Sequence, residues 1–253
     1  HREHIESMDS VLGHLSIPSD ARVLDVGGGR GMHACFLASR YRECWCSDVI
    51  NYQSLYGGEY YRLFKEKCER NSVFYENDSL QFIECDAMDI LFKDDYFDFV
   101  TSFNAFEHIP DPKKALAEMV RVTKKGGVIY LTFDPIWTAD TGSHFIHRVE
   151  DPWAHLLLSD DEFVEKMSSA GADAGELSDY IHGMNRLRLA AYRSIFAEIR
   201  EYSDIEILHD TTWSGFADKS YKKHPNYKLC QSKGYSREEL EIRGLRFLIR
   251  KSG

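Results

Sequence analysis

The sequence predicts an α/β fold: a doubly wound, seven-stranded, mostly parallel sheet of the Rossmann-like kind. Three observations carry this reading. An aliphatic run, Arg22-Val23-Leu24-Asp25-Val26, enters a glycine turn, Gly27-Gly28-Gly29-Arg30-Gly31, and then the helix-like apolar spacing of Met32 to Ala38. Further aliphatic and aromatic runs follow in alternation with helical patterns. Asp25, Asp48, Asp86 and Asn104 all fall at the carboxyl ends of such runs, where right-handed crossovers leave the ligand crevice of a parallel sheet.

In chain order, residues 4–15 place Ile5, Met8, Val11, Leu12 and Leu15 at helical spacing, and Pro18-Ser19-Asp20 turn the chain into a first strand over 21–26. A helix over 32–40 and a second strand over 44–49 come next. Residues 50–80 make a longer excursion with a helix over 60–70, and 81–85 and 96–103 read as strands three and four. Asp111-Pro112 opens a helix with cap and N1 proline in the expected order. Gly126-Gly127 reads as its stop, and 128–133 as strand five. Residues 134–152 have no clear period and are crowded with Trp137, His144, Phe145, His147 and Arg148. Helices are expected over 159–170, where Ser159 and Glu162 have capping-box spacing, and over 184–202. Strands over 205–212 and 240–250 would form an antiparallel hairpin completing the sheet, with 213–236 a polar loop between them. One domain is expected over 1–253: an N-terminal helix over 1–17, a cofactor-binding core over 18–133, a helical and loop cap over 134–204, and closing strands over 205–253.

Hydrophobic residues make up 43% of the chain and charged residues 28%, and the net charge is −10. That acidity argues against nucleic acid or an acidic membrane surface as partner, because both demand a basic face. The six cysteines show no paired CxxC spacing and read as buried reduced thiols. No run approaches the ~20 apolar residues of a membrane span and no signal peptide is visible, so a cytoplasmic setting is expected.

The glycine turn presents bare backbone amides at a helix N-terminus, a setting for anionic or polar ligands. It fits two frames: Asp25-x-Gly27-x-Gly29-x-Gly31, and the dinucleotide-like Gly29-x-Gly31-x-x-Ala34. Asp48, about 20 residues on, is placed to hold ribose hydroxyls in either. Asp86-Ala87 after strand three favours the first frame, since a carboxylate there can accept from an adenine amino group.

With Glu107-His108-Ile109-Pro110-Asp111-Pro112 and Lys125-Gly126-Gly127-Val128-Ile129-Tyr130-Leu131 added, residues 20–134 closely resemble class I S-adenosylmethionine (SAM)-dependent methyltransferases of the broad small-molecule group. The resemblance implies SAM as cofactor and S-adenosylhomocysteine as product. It implies that Gly27, Gly28, Gly29 and Gly31 line the methionine and ribose portion, with Asp25 near the SAM amino group. Asp48, with Val49 beside it, would bind the ribose, Asp86 and Ala87 would frame the adenine, and Phe103 and Asn104 would border the sulfonium. The Glu107-His108 pair also resembles ubiquinone-pathway O-methyltransferases, in which acidic residues and a histidine bind a divalent metal. Asn104 stands where that pattern has another Glu, so no metal ligand is assigned and a divalent cation stays the minority reading.

Methyl transfer from a sulfonium needs positioning and removal of the acceptor's proton. A neutral histidine suits the second task, and His144 is the first candidate with His108 second. Trp137, His147, His155 and Arg186 are the candidate acceptor contacts. Arg186 and Arg193 are read on one face of the 184–202 helix, with either a grip on an anionic acceptor or a solvated, ion-paired face. The expected reaction is methyl transfer to a hydroxyl of a small molecule, such as a sugar, a glycan intermediate or another natural-product precursor. The rivals are a non-catalytic SAM-binding scaffold or sensor and an NAD-dependent oxidoreductase. After strand four, Asn104-Ala105-Phe106-Glu107 is neither the Asn/Asp-Pro-Pro-aromatic tetrad nor the Pro-Cys of nucleobase methylation, which again makes nucleic acid an unexpected substrate.

Overall fold

The computed structural model describes residues 1–13, 15–202, 204–216 and 219–253. An N-terminal helix α1 (Arg2–Leu12) precedes the alternation β1 (Arg22–Val26), α2 (Met32–Ala38), β2 (Glu43–Asp48), α3 (Glu59–Arg70), β3 (Leu80–Glu84), β4 (Phe97–Phe103), α4 (Pro112–Val122) and β5 (Thr123–Phe133). Four helices follow, α5 (Ala154–Leu157), α6 (Asp160–Ser169), α7 (Ala174–His182) and α8 (Leu189–Tyr202). Strand β6 (Ile205–Ser214), helices α9 (Pro225–Ser232) and α10 (Arg237–Glu241), and strand β7 (Ile242–Lys251) end the chain. The seven strands form one sheet in the order β3-β2-β1-β4-β5-β7-β6. The first five are mutually parallel, and β7 runs antiparallel to both β5 and β6.

Strand periodicity sorts the core onto two faces. Leu24, Val26, Val100, Ile129 and Leu131 point into a cluster closed by Leu116 and Met119 of α4 and Tyr192 and Phe196 of α8. Val23, Phe99 and Tyr130 point the other way, against Ile5 and Met8 of α1 and Leu37 of α2. Both faces are covered, so the sheet exposes its carboxyl-terminal edge. All six cysteines are free and buried. Among the described residues no helix is long and apolar enough to cross a membrane.

Three expectations change. Helix α4 stops at Val122, not at Gly126-Gly127, because Thr123 is extended, fully buried and already paired with Phe97 of β4. The register then jumps to Phe99 opposite Val128, so residues 124–127 bulge from the strand with Gly126 at φ 78°. Helix α8 begins five residues later than its apolar spacing suggests. Residues 184–188 are non-helical, with Arg186 left-handed at φ 56°. The Asn185 amide donates to the carbonyls of Phe106 (2.7 Å) and Ile109 (3.0 Å) and pins this segment over the loop after β4. Arg186 and Arg193 therefore share no helix face: Arg186 pairs with Asp160 and Arg193 with Glu238. Finally, 213–236 is not plain loop. Tyr227 and Cys230 of α9 are buried in a third cluster with Trp137, Phe145, Trp153, Phe163 and Tyr180. The layer over the sheet edge thus draws on both the β5–β6 and β6–β7 connections.

Candidate active site

A cleft of about 720 Å³ opens at the carboxyl ends of the parallel strands. One wall comes from the loops after β1, β2 and β3, and the other from the loop after β4 and the segments around His144 and Gly183.

The glycine turn is shaped by what touches it. A Cβ on Gly27 would lie 2.5 Å from that of Ala105, so the loops after β1 and β4 can meet only without one. Gly31 starts α2 at φ 81°, and a Cβ there would press to 2.7 Å against the Phe82 ring. Asp48, at the end of β2, ties down the turn: its Oδ2 accepts from the Gly29 amide (2.9 Å) and its Oδ1 from the Ile50 amide (3.1 Å). Burial raises its pKa, against the pull of those amides. Asp86 accepts from the Met88 amide at 2.8 Å, which turns Ala87 and Met88 along the cleft. Val49, 63% exposed, adds an apolar lip.

Of the expected cofactor residues, Gly27, Gly29, Asp48, Val49, Asp86, Ala87 and Asn104 line this cleft. Asp25, Gly28, Gly31 and Phe103 lie behind the lining. Asp25 is buried beneath the turn, where its Oδ1 accepts from the Thr101 hydroxyl (2.9 Å) and its Oδ2 has no partner. Burial pushes its pKa up to about 7, Thr101 opposing and Asp48 adding to the rise. Gly28 is packed against Cys46. Phe103 faces away from the cleft, its ring stacked on His33 at 4.2 Å.

Beyond Asn104, which adopts φ 50°, the loop after β4 carries Glu107 and His108. His108 Nδ1 donates to the Gly183 carbonyl at 2.6 Å, which leaves Nε2 as the lone-pair nitrogen. His144 arrives from the segment after β5, its ring edge-on to His108 at 4.9 Å. Its Nε2 donates to the Pro135 carbonyl (3.1 Å), and burial, with His108 adding to it, depresses its pKa to about 4. Glu107 is wholly buried and neither carboxylate oxygen has a hydrogen-bond partner, though Oε1 lies 4.0 Å from His108 Nε2. Burial, reinforced by Asp134, drives its pKa far upward. Glu107, His108 and His144 each bring a donor atom within 4.8 Å of the others, a set whose chemistry fits a divalent cation.

The expected acceptor contacts are placed elsewhere. His155 is buried and donates to the Trp137 carbonyl at 2.7 Å. The Arg186 guanidinium lies 4.7 Å from the Trp137 ring centroid and binds Asp160. These three build the interior of the capping layer because their partners lie there. His147 is exposed and pairs with Glu176 at 2.9 Å. The wall of the cleft facing the glycine turn is formed by Phe145, Asp179, Gly183 and Met184 together with the two histidines. Asp179 and Gly183 belong to α7 and its C-cap. The readable sign of that helix was the Asp173–Glu176 spacing, which forms a capping box.

A methyltransferase-domain family matches residues 24–131, from inside β1 to inside β5. Residues 24–131 are a methyltransferase domain of the class I SAM-dependent type. The glycine turn is accordingly of the SAM type, and Ala34 of the dinucleotide-like frame is simply fully buried helix packing. Among curated relatives, a methyltransferase of Mycobacterium sp. (strain JLS) is 30% identical over 127 residues, 50% of this chain and 44% of that protein. The tRNA 5-carboxymethoxyuridine methyltransferase of Escherichia coli (strain K12) is 29% identical over 129 residues, 51% of this chain and 45% of that one. The matched region thus spans less than half the length of these two relatives. The YcgJ protein of Bacillus subtilis has the same fold, with a TM-score of 0.55 at 18% identity over the whole of both chains.

Proposed function

We propose that this methyltransferase domain moves the methyl group of SAM to a hydroxyl of a small, uncharged molecule, with His108 as general base. The observation that carries the reading is the His108 ring. It lines the same cleft as Gly27, Gly29 and Asp48, and Gly183 holds its Nδ1–H so that Nε2 can take a proton. His144, so weakly basic at a pKa of about 4, serves better as a wall and orienter than as the base. In this reading Asp48 holds the ribose hydroxyls with its remaining lone pairs. Asp86, Ala87 and Val49 frame the adenine, and Gly27, Gly29 and Asn104 flank the methionine end. Asp25, Gly28, Gly31 and Phe103 shape the turn from behind.

Among the described residues the lining includes Asp48, Asp86 and Asp179 and no Lys or Arg. That disfavours an anionic acceptor and supports a neutral polyol or sugar. The acidic chain and cleft also weigh against RNA, the substrate class in the name of the E. coli relative. Six free thiols suit a reducing, cytoplasmic setting.

The unpartnered Glu107 carboxylate favours a second reading. A divalent cation held by Glu107, His108 and His144 would polarise the acceptor hydroxyl. One experiment separates these readings. The protein is incubated with SAM and, in separate arms, sugars and polyols, small amines, and bulk tRNA, and S-adenosylhomocysteine is measured with and without chelator. Chelator-resistant turnover of hydroxyl acceptors that His108→Ala abolishes supports the base. Chelator-sensitive turnover moves the reaction to the cation, and turnover of amines or tRNA alone refutes the hydroxyl assignment. SAM binding without turnover on any arm leaves the scaffold or sensor.

A further inference from the structure

Outside the cleft, three imidazoles converge between α1 and the start of α2. His1 Nδ1 is 3.2 Å and His4 Nδ1 is 3.0 Å from the same atom, His33 Nε2. All three nitrogens lie within 4.8 Å of one another. His1 is the N-cap of α1 and His4 is three residues on, so both reach from one side of that helix. His33 is in the first turn of α2, buried, and clamped between the Phe103 ring at 4.2 Å and the His4 ring at 5.2 Å, both nearly parallel to it.

Hydrogen bonding alone cannot satisfy this trio. An imidazole nitrogen carries either one N–H or one lone pair. His33 Nε2 can make one good hydrogen bond, and here it faces two nitrogens at hydrogen-bond distance. Whichever tautomers are chosen, one contact sets like against like, or both share a single proton or a single lone pair. A cation at the convergence point removes the conflict by accepting all three lone pairs. The spacing suits one: nitrogens about 2.0–2.1 Å from a tetrahedral zinc stand roughly 3.3 Å apart.

The geometry points to a second, structural metal site: His1, His4 and His33 bind one divalent ion of the zinc, cobalt or nickel class. His1 is exposed, which leaves the fourth position to water. The ion fastens α1 across the N-terminus of α2, outside the lining of the cleft. Its donor set is all imidazole, which selects borderline transition metals over Mg²⁺ or Ca²⁺.

The test uses the full chain without an affinity tag, stripped with chelator and titrated with Co²⁺, whose visible absorption reports tetrahedral nitrogen coordination. His4→Ala, His1→Ala and His144→Ala are titrated in parallel. The first two avoid the buried His33, and the third removes a donor of the Glu107 set. The expected result is one Co²⁺ per chain that disappears in His4→Ala and His1→Ala and persists in His144→Ala, with a metal-dependent rise in melting temperature that follows the same pattern. Affinity should fall by more than about 100-fold in the first two, since losing even the groups that orient a ligand costs roughly 10–100-fold. Unchanged binding in His4→Ala, or binding lost only in His144→Ala, overturns the site. The readout is independent of any acceptor.

Discussion

Asp25→Asn isolates a carboxyl that the fold holds against its own charge. The folded pKa is about 7 against a reference of 3.8, and burial is the main cause. Because the folded state holds this proton more tightly than the unfolded chain, ionisation erodes stability as pH climbs from near 4 to near 7, and the loss is constant above that. At 1.36 kcal/mol per pKa unit the penalty is about 1.5 kcal/mol at pH 5 and about 4 kcal/mol at pH 8. Asparagine cannot ionise, and its oxygen can keep the 2.9 Å bond from Thr101. Its amide nitrogen takes the place of Oδ2, which has no partner, and so brings a pH-independent cost of roughly 1–3 kcal/mol. The variant should therefore be within about 1.5 kcal/mol of the parent at pH 5, and should gain about 2.5 kcal/mol relative to it by pH 8. For a chain of this size that is roughly 5–10 °C in melting temperature. Paired thermal melts at pH 5 and pH 8 decide the matter. A difference between the two proteins that does not grow with pH would falsify the buried-charge account.

Other perturbations follow from the same geometry. His108→Ala should lower kcat/KM for hydroxyl acceptors by about 10²–10⁴ and leave SAM affinity, read by calorimetry, within error of the parent. If the decline appears in SAM affinity instead, the proton-transfer role is lost. Gly31→Ala forces φ 81° on a residue with a side chain and drives its methyl against Phe82. A loss of about 1–2 kcal/mol from the backbone alone is expected in denaturant melts, with weaker SAM binding, and unaltered binding would contradict the tight packing described. Trp153→Ala removes a fully buried ring that packs at a tilt among Phe216, Tyr221 and Tyr227. Hydrogen exchange should show a loss of about 3–5 kcal/mol centred on α5, α6 and α9, with β1 to β5 still protected; uniform deprotection would show the two layers are one unit.

The parallel half of the sheet was legible because its signals are local. Each strand is a short apolar run, each turn carries its own glycine or acid, and Asp111-Pro112 marks a helix start without reference to anything distant. The failures have distant causes. The end of α4 was decided by Thr123 pairing with β4, which made strand out of a lysine–glycine stretch that resembles a helix stop. The break before α8 was decided by Asn185 reaching carbonyls some 76 to 79 residues earlier in the chain. The strand-end wall of the cleft, with Asp48 and Asp86 in its lining, was readable for the same local reason. The facing wall was not: His108 and Gly183 meet across 75 residues, and Trp137, His155 and Arg186 find their partners inside the capping layer. Histidine and aromatic content marked the capping layer without telling lining from filling.

The third hydrophobic cluster takes Trp137, Phe163 and Tyr180 from before β6 and Tyr227, Cys230 and Leu240 from after it. Between those two sets lie α8 and the whole of β6, whose strand partner β7 follows only at the end of the chain. The capping layer therefore cannot complete its interior as the chain emerges; it must wait for the last strand to insert between β5 and β6. A chain ended before α9 would retain all of β1 to β5 and every glycine of the turn, and would leave Trp153 and Phe163 facing water. Assembly has an order built into its connectivity: the half that carries the glycine turn can close early, and the layer over the sheet edge closes last.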